Sequence, residues 1–304
     1  MVSEVQLDEA TWHARAMAHA IRADALSQGW RDRVASGTKH PVDDFLFTYY
    51  PLRPGLLRRW HPGAGVVLSG AATDDRAAWR WYVARGSDLI VDAHGFVAKN
   101  ERSLAFIRGL LSGTAARQAN FACFGLHEWA MVYRSGEEIA VDHSAGGRRH
   151  DVPLRLTQSE TDSVVEANRI VCSHFDAYRF FTPEAIPLNS VALSRETQPD
   201  LEQPGCLHAG MDVYKWVTKL GPLTPGELLL DSFDLARDIR NLDMRASPYD
   251  LSDWGYSPVR IESTEGRAEY ARAQRTFADR SNVLRTRAVE AIDRALSLRD
   301  VIGA

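Results

Sequence analysis

The sequence predicts a mainly α protein with a small β element, an α+β chain of compact, helical bundle-like architecture. Three observations predict it. Apolar residues recur at helical spacing over most of the chain, one short alternating run stands out as a strand, and the last hundred residues carry helix start and stop signals in register with that spacing. With 304 residues and 45 % hydrophobic composition the chain is long enough for one large domain, or for two packed halves joined near 187–204.

Residues 8–34 form the first expected helix, opened at Asp8 and closed by Gly37 and Pro41. The stretch 41–68 is aromatic and punctuated by proline, which predicts short helices and turns instead of a regular element. A helix is expected over 74–85, with Asp74 and Asp75 at its positive end, followed by a strand at 88–92, "DLIVD". Two helices are expected within 99–134, where the small residues Ala122, Gly125 and Ala130 permit close approach of neighbours. A polar hairpin turning on Gly146 and Gly147 is expected over 135–157. Residues 161–185 hold a helix or a strand, which periodicity alone does not decide. After the connector come three helices: 206–220, stopped by Gly221 and Pro222; 225–242, with Thr224 as N-cap, Pro225 first and Glu227 third; and 264–298, broken near Ser281 and Asn282.

Composition narrows the function. A formal charge of −4 lacks the global basic footprint of a nucleic-acid binder, so DNA as a partner has no support from charge; "LRPGLLRRW" (52–60) and "GGRRHD" (146–151) are the best candidates for local basic patches, and each reads more readily as a solvated loop. No uninterrupted apolar run approaches about 20 residues, so no membrane span is expected, and the charged N-terminus does not read as a signal peptide. Cys123, Cys172 and Cys206 form an odd set without CxxC spacing, which fits inert buried thiols and a cytoplasmic location.

The sharpest feature is a clustering of histidines with carboxylates. His127 precedes Glu128, His174 lies two before Asp176, and His208 lies four before Asp212. On a helix, positions four apart point the same way, so His208 and Asp212 are expected to grip one metal ion, or Asp212 to orient the imidazole. An extended segment would put His174 and Asp176 on one face, whereas adjacent His127 and Glu128 are expected to point apart, so that only one of them joins a common site. The candidate ligands are His127, His174, His208 and Asp212. Two histidines with a carboxylate suit non-haem iron, and three histidines suit zinc or copper, so the cofactor expected is a divalent metal, iron or zinc. The spacing matches neither HExxH nor the zinc-deaminase pattern, and neither GxSxG nor a phosphate loop occurs. A second group, "DSFDLARDIRNLDMRASPYDLSDWGYSPVRIE" (231–262), mixes a ladder of helix charges at Asp231, Asp234, Asp238 and Arg245 with a loop bearing Tyr249, Asp250, Trp254 and Tyr256, a composition suited to a planar group.

At "PLRPGLLRRWHPGAGV", "FGLHEWAMVYR", "SHFDAYRFFTPEAIPLN", "CLHAGMDVYKW" and "LARDIRNLDMRASPYDLSDWGYSPVRIE" the chain resembles actinobacterial and cyanobacterial proteins labelled 3-methyladenine DNA glycosylase, over most of its length. The resemblance implies hydrolysis of the N-glycosidic bond of an alkylated purine, with aromatic side chains holding the flipped base and a carboxylate stabilising the sugar cation. The Leu-Pro-Gly-Val-Gly-like hairpin of helix-hairpin-helix glycosylases is missing, so no catalytic residue transfers. In this reading Asp176, Asp250 and Glu128 are the catalytic candidates, and Tyr178, Tyr249, Trp254, Tyr256 and Arg245 contact a nucleobase. The alternative is a metal-dependent enzyme that acts on a small molecule through the histidines and Asp212.

Overall fold

The computed structural model describes residues 4–50, 52–135 and 152–302, with side chains to 298. The protein is mainly α with one small four-stranded sheet. Helix α1 spans Glu9–Ser36; Asp8 caps it by accepting from the Thr11 amide, and Gly37, at φ 69°, ends it. Only one stripe of α1 is buried, at Trp12, His19, Ala23 and Ser27. As expected, 41–68 breaks into the short helices α2 (Phe45–Tyr49) and α3 (Pro54–Leu57), then runs into a strand.

The sheet has strands β1 (Val5–Leu7), β2 (Val66–Leu68), β3 (Tyr82–Arg85) and β4 (Asp88–Val91), in the order β1-β2-β4-β3. Strand β1 pairs parallel to β2, with Val5 opposite Val66; the other pairs are antiparallel. This corrects the helix expected over 74–85. Only Asp75–Ala78 forms a 3₁₀ turn, with Asp74 accepting from the Arg76 amide, and the chain then extends because Tyr82–Arg85 pairs with β4 around a turn at Gly86, φ 64°. Pairing with a neighbour outweighs local helix preference.

The bundle is made by α4 (Ala93–Ala116), α9 (Leu207–Leu220), α10 (Gly226–Ala246) and α11 (Thr264–Ile302); α9 packs on α10, α4 on α11, and α11 on both α9 and α10. Helix α4 starts six residues before its expected position because Asp92 caps it at the Gly95 amide. Between the bundle helices lie α5 (Leu126–Ala130), α6 (Gln158–Glu166), α7 (Phe175–Tyr178) and α8 (Gln198–Leu201). The second helix expected within 99–134 shrinks to α5, since Phe124 (φ 46°) and Gly125 (φ 74°) turn left-handed in front of it. Thr224 does not cap α10: Pro225 holds the N-cap position and the Thr224 hydroxyl donates to the Gly221 carbonyl. Helix α11 continues through Ser281 and Asn282, where the Ser281 hydroxyl donates back to Phe277. Most of the expected hairpin, and the "GGRRHD" patch, lie outside the described residues.

One hydrophobic cluster runs from Ala23 to Ala295 and takes in residues on both sides of the 187–204 connector. That connector is not an open linker. It carries a 3₁₀ turn at Ile186–Leu188 and α8, and delivers Glu202, 2 % exposed, into the core. Gly205 then lets the chain pass so close to the 120 segment that a Cβ there would sit 2.4 Å from the Asn120 carbonyl oxygen. No helix among the described residues is long and apolar enough to cross a membrane.

His61, where the chain passes from α3 toward the sheet, makes the fold sensitive to acid. Its Nδ1 lies 2.8 Å from the Tyr82 hydroxyl, and burial, reinforced by His19, Arg59 and Arg76, pushes its pKa down to about 3. The folded state therefore holds this ring neutral where the unfolded chain, titrating near 6.5, takes up a proton. Stability is unaffected above about pH 6.5 and falls as pH drops toward 3, by up to about 1.4 kcal/mol per pH unit. His61→Gln removes this contribution, so urea denaturation at pH 7 and pH 4.5 gives a smaller acid loss in the variant. An equal loss in both proteins refutes it.

Candidate metal centre

Helices α5, α9 and α10, the N-cap of α7 and the connector bring seven ligand-type side chains into two adjoining groups in the bundle core. The first holds His127, Glu128, His208 and Asp243; the second holds His174, Glu202 and Asp212. Within each group one donor atom per residue lies within 4.8 Å of the others.

The first group is built on α5, α9 and α10. His127 and Glu128 both join it, contrary to the expectation that adjacent helical residues must part. Helix α5 is only five residues long and is enclosed by neighbours on every side, so a 100° separation still leaves both side chains facing partners. His127 Nε2 lies 2.7 Å from Asp243 Oδ1. Arg240, one helical turn earlier on α10, reaches Glu128 Oε1 at 3.2 Å and Asp243 Oδ2 at 3.4 Å. All four are buried, Asp243 completely. Burial alone would lower the pKa of His127, but the Asp243 carboxylate raises it well above the usual imidazole value; burial likewise pushes Asp243 up, and His127 brings it below the usual value.

His208 differs from its neighbours. Its ring meets His127 edge-on at 4.3 Å and stacks on His174 at 5.4 Å, yet neither ring nitrogen has a hydrogen-bond partner among the described residues. Enclosure, then the charge of His127, hold its pKa well below the ordinary value, so the ring is neutral near pH 7 and presents a lone pair. It is also the one member of the group that keeps a partial opening to solvent.

The second group is built on the α7 N-terminus, the connector and α9. His174 precedes α7 with extended backbone and turns inward, whereas Asp176, inside α7, turns to Lys215 at 2.9 Å; the two do not share a face as an extended segment would require. His208 and Asp212 do share a face of α9, as the spacing predicts, but they divide between the groups: Asp212 Oδ2 lies 3.7 Å from His174 Nε2. Tyr50 donates to Asp212 Oδ1 at 2.9 Å and Lys215 to Oδ2 at 2.8 Å.

The cysteines surround this region. Cys172 and Cys206 are buried, and burial raises both thiols, Cys206 to about 12. Cys123 is only half-buried, which corrects the reading of three buried thiols, and its Sγ lies 3.7 Å from His127 Nδ1.

Of the glycosylase candidates, Arg245, Tyr249, Asp250 and Tyr256 line one small cavity of about 40 Å³, whereas Glu128, Asp176 and Tyr178 lie elsewhere. Tyr178, half-buried, packs on Phe181 and belongs to the main core, whereas Tyr249, Trp254 and Tyr256 belong to a separate cluster with Val42 and Val132. Asp250 accepts from the Ser252 amide at 3.0 Å and so shapes its own turn. Two of them, Arg245 and Tyr256, line a cavity of about 470 Å³ together with Asp43, Arg237, Asn241 and Arg240. The Tyr256 hydroxyl donates to Asp43 at 3.0 Å, and Arg245 donates to the Ser257 carbonyl and to Glu269. Arg240 lines this cavity and also reaches Glu128 and Asp243 of the first group. The expected charge ladder on α10 pairs outward: Asp231 and Asp234 with Arg22 of α1, Asp231 with Arg287 and Asp238 with Arg280 of α11.

Compared with protein-family models, curated proteins and solved structures, the chain matches none.

Proposed function

We propose that the protein is a metal-dependent enzyme acting on a small molecule, with His127, Glu128, His208 and Asp243 as ligands of one divalent ion. The observation that carries this reading is His208, a neutral imidazole with two unbonded nitrogens set among two carboxylates and a second histidine. A structural histidine in a core normally satisfies its ring with hydrogen bonds; this one faces donors of the same kind as itself. Two imidazoles with two carboxylates suit iron first and zinc second.

A bound ion would supply Lewis-acid activation at its open positions. The chain's own residues supply the rest. Arg240 bridges Glu128 and Asp243, which orients both carboxylates and limits the negative charge they concentrate in the core. The cavity that Arg240 also lines has the volume of a small-molecule site, and Arg237, Arg245, Asn241 and Tyr256 offer polar contacts that could orient a substrate against it.

Metal analysis of protein purified without a chelating tag tests the reading. The expected result is near-stoichiometric iron or zinc, or uptake of Fe²⁺ or Zn²⁺ by stripped protein. Failure to retain either ion with the fold intact overturns it. Release of 3-methyladenine from alkylated duplex DNA, unaffected by a chelator, would replace it with the glycosylase reading.

A further inference from the structure

His174, Glu202 and Asp212 stand apart from the four residues assigned above, and all three are nearly inaccessible, at 1 %, 2 % and 2 %. His174 Nδ1 lies 3.0 Å from Glu202 Oε1. At that separation a hydrogen bond is expected, yet the atoms are not aligned for one, and Nδ1 has no hydrogen-bond partner among the described residues. On the other side of the ring Nε2 stays 3.7 Å from Asp212, beyond hydrogen-bond reach. A buried imidazole close to two carboxylates and aligned with neither is costly as a structural element. One ion takes only one nitrogen of the ring, and Nδ1 with Glu202 Oε1 fits that use: two atoms each bound at about 2.1 Å and at right angles lie about 3 Å apart without pointing at one another, and one donor atom from each of the three side chains lies within 4.8 Å of the others.

The groups behind these donors fit the same role. Gln198 Nε2 donates to Glu202 Oε1 at 2.5 Å, and Tyr50 and Lys215 hold the two oxygens of Asp212, the kind of outer support that fixes ligating carboxylates. The ammonium of Lys215 is itself shared with Asp176, so it orients Asp212 without neutralising the group on its own. Arg285, the other cation near Glu202, donates instead to the Ala209 carbonyl and to Asn282.

We propose that His174, Glu202 and Asp212 form a second divalent-metal site, which makes the core a two-metal centre whose halves meet at the stacked rings of His174 and His208, 5.4 Å apart and 16° from parallel. The inference does not depend on the first site, because the two share no residue. With both groups filled, the two ions would supply Lewis-acid activation to a substrate that offers oxygen ligands.

The test is the stoichiometry of Co²⁺ uptake by chelator-stripped full-length protein, followed by its visible absorption and checked by mass spectrometry with Zn²⁺ after desalting. Wild type is expected to take up two equivalents, and His174→Ala, Glu202→Gln and His208→Ala one each. Wild type that takes up a single equivalent, retained by His174→Ala and lost by His208→Ala, overturns the second site and leaves the first. A single equivalent with the opposite pattern overturns the first site and keeps the second. No uptake by folded wild type overturns both. Glu202→Gln keeps the size of the side chain, so it decides the matter if His174→Ala does not fold.

Discussion

Asp243→Ala is expected to destabilise the metal-free protein by about 3–5 kcal/mol, the cost of removing one partner from a buried charge network. Asp243 is completely buried and touches two cationic or protonatable groups, His127 at 2.7 Å and Arg240 at 3.4 Å. Its removal takes from Arg240, 2 % exposed, one of the two carboxylates it touches among the described residues, and obliges His127 to give up its proton or to lose the carboxylate beside it. Urea denaturation with an unchanged m value and a lower midpoint is the expected observation. Asp243→Asn preserves the shape and keeps one accepting oxygen, enough for His127 or Arg240 but not both, so it should lose less than the alanine variant. A loss below about 1 kcal/mol for the alanine variant would mean that water enters and takes over the role of the carboxylate.

His208→Ala has the opposite signature. Its ring makes no hydrogen bond among the described residues and keeps an opening to solvent, so the fold has little to lose from its polar atoms. Metal affinity has much to lose. Loss of an outer-shell partner typically weakens binding 10–100-fold, and loss of a direct ligand should exceed about 100-fold. Equilibrium dialysis against Zn²⁺ reads this directly, with near-native circular dichroism as the control. A variant that unfolds, or that binds Zn²⁺ as tightly as wild type, would return His208 to the ordinary packing of the core.

Much of the framework was legible because it is local. Asp8 and Gly37 bound α1, and Gly221 with Pro222 stops α9, through signals contained within a few residues. Strand β3 was not legible, since its partner β4 decides its conformation. The site divides in the same way. His127, His174, His208 and Asp212 stand out because each histidine has a carboxylate within four residues, whereas Asp243, Arg240 and Glu202 come from distant positions: Asp243 meets His127 across 116 residues and Arg240 meets Glu128 across 112. A signal for two of them was present. Arg240 and Asp243 continue the stripe of Ala236 and Ile239 at steps of three and four, so the period of α10 places them on its buried face among apolar neighbours. Read by residue type instead of by phase, they merged into the charge ladder of the same helix. Glu202 had no such pattern, because its segment is too irregular for periodicity to report burial.

Helix α9 carries His208 toward one group and Asp212 toward the other, one turn apart on a rigid rod. It acts as a common beam. A slide or rotation of this beam moves both side chains by similar amounts, so neither group can be widened or narrowed while the other stays still. Selection acting on one centre would therefore be felt at the other, and partial opening of the molecule that frees α9 would dismantle both in a single event. In hydrogen exchange this would appear as one shared opening free energy for the amides of residues 208–212, not two.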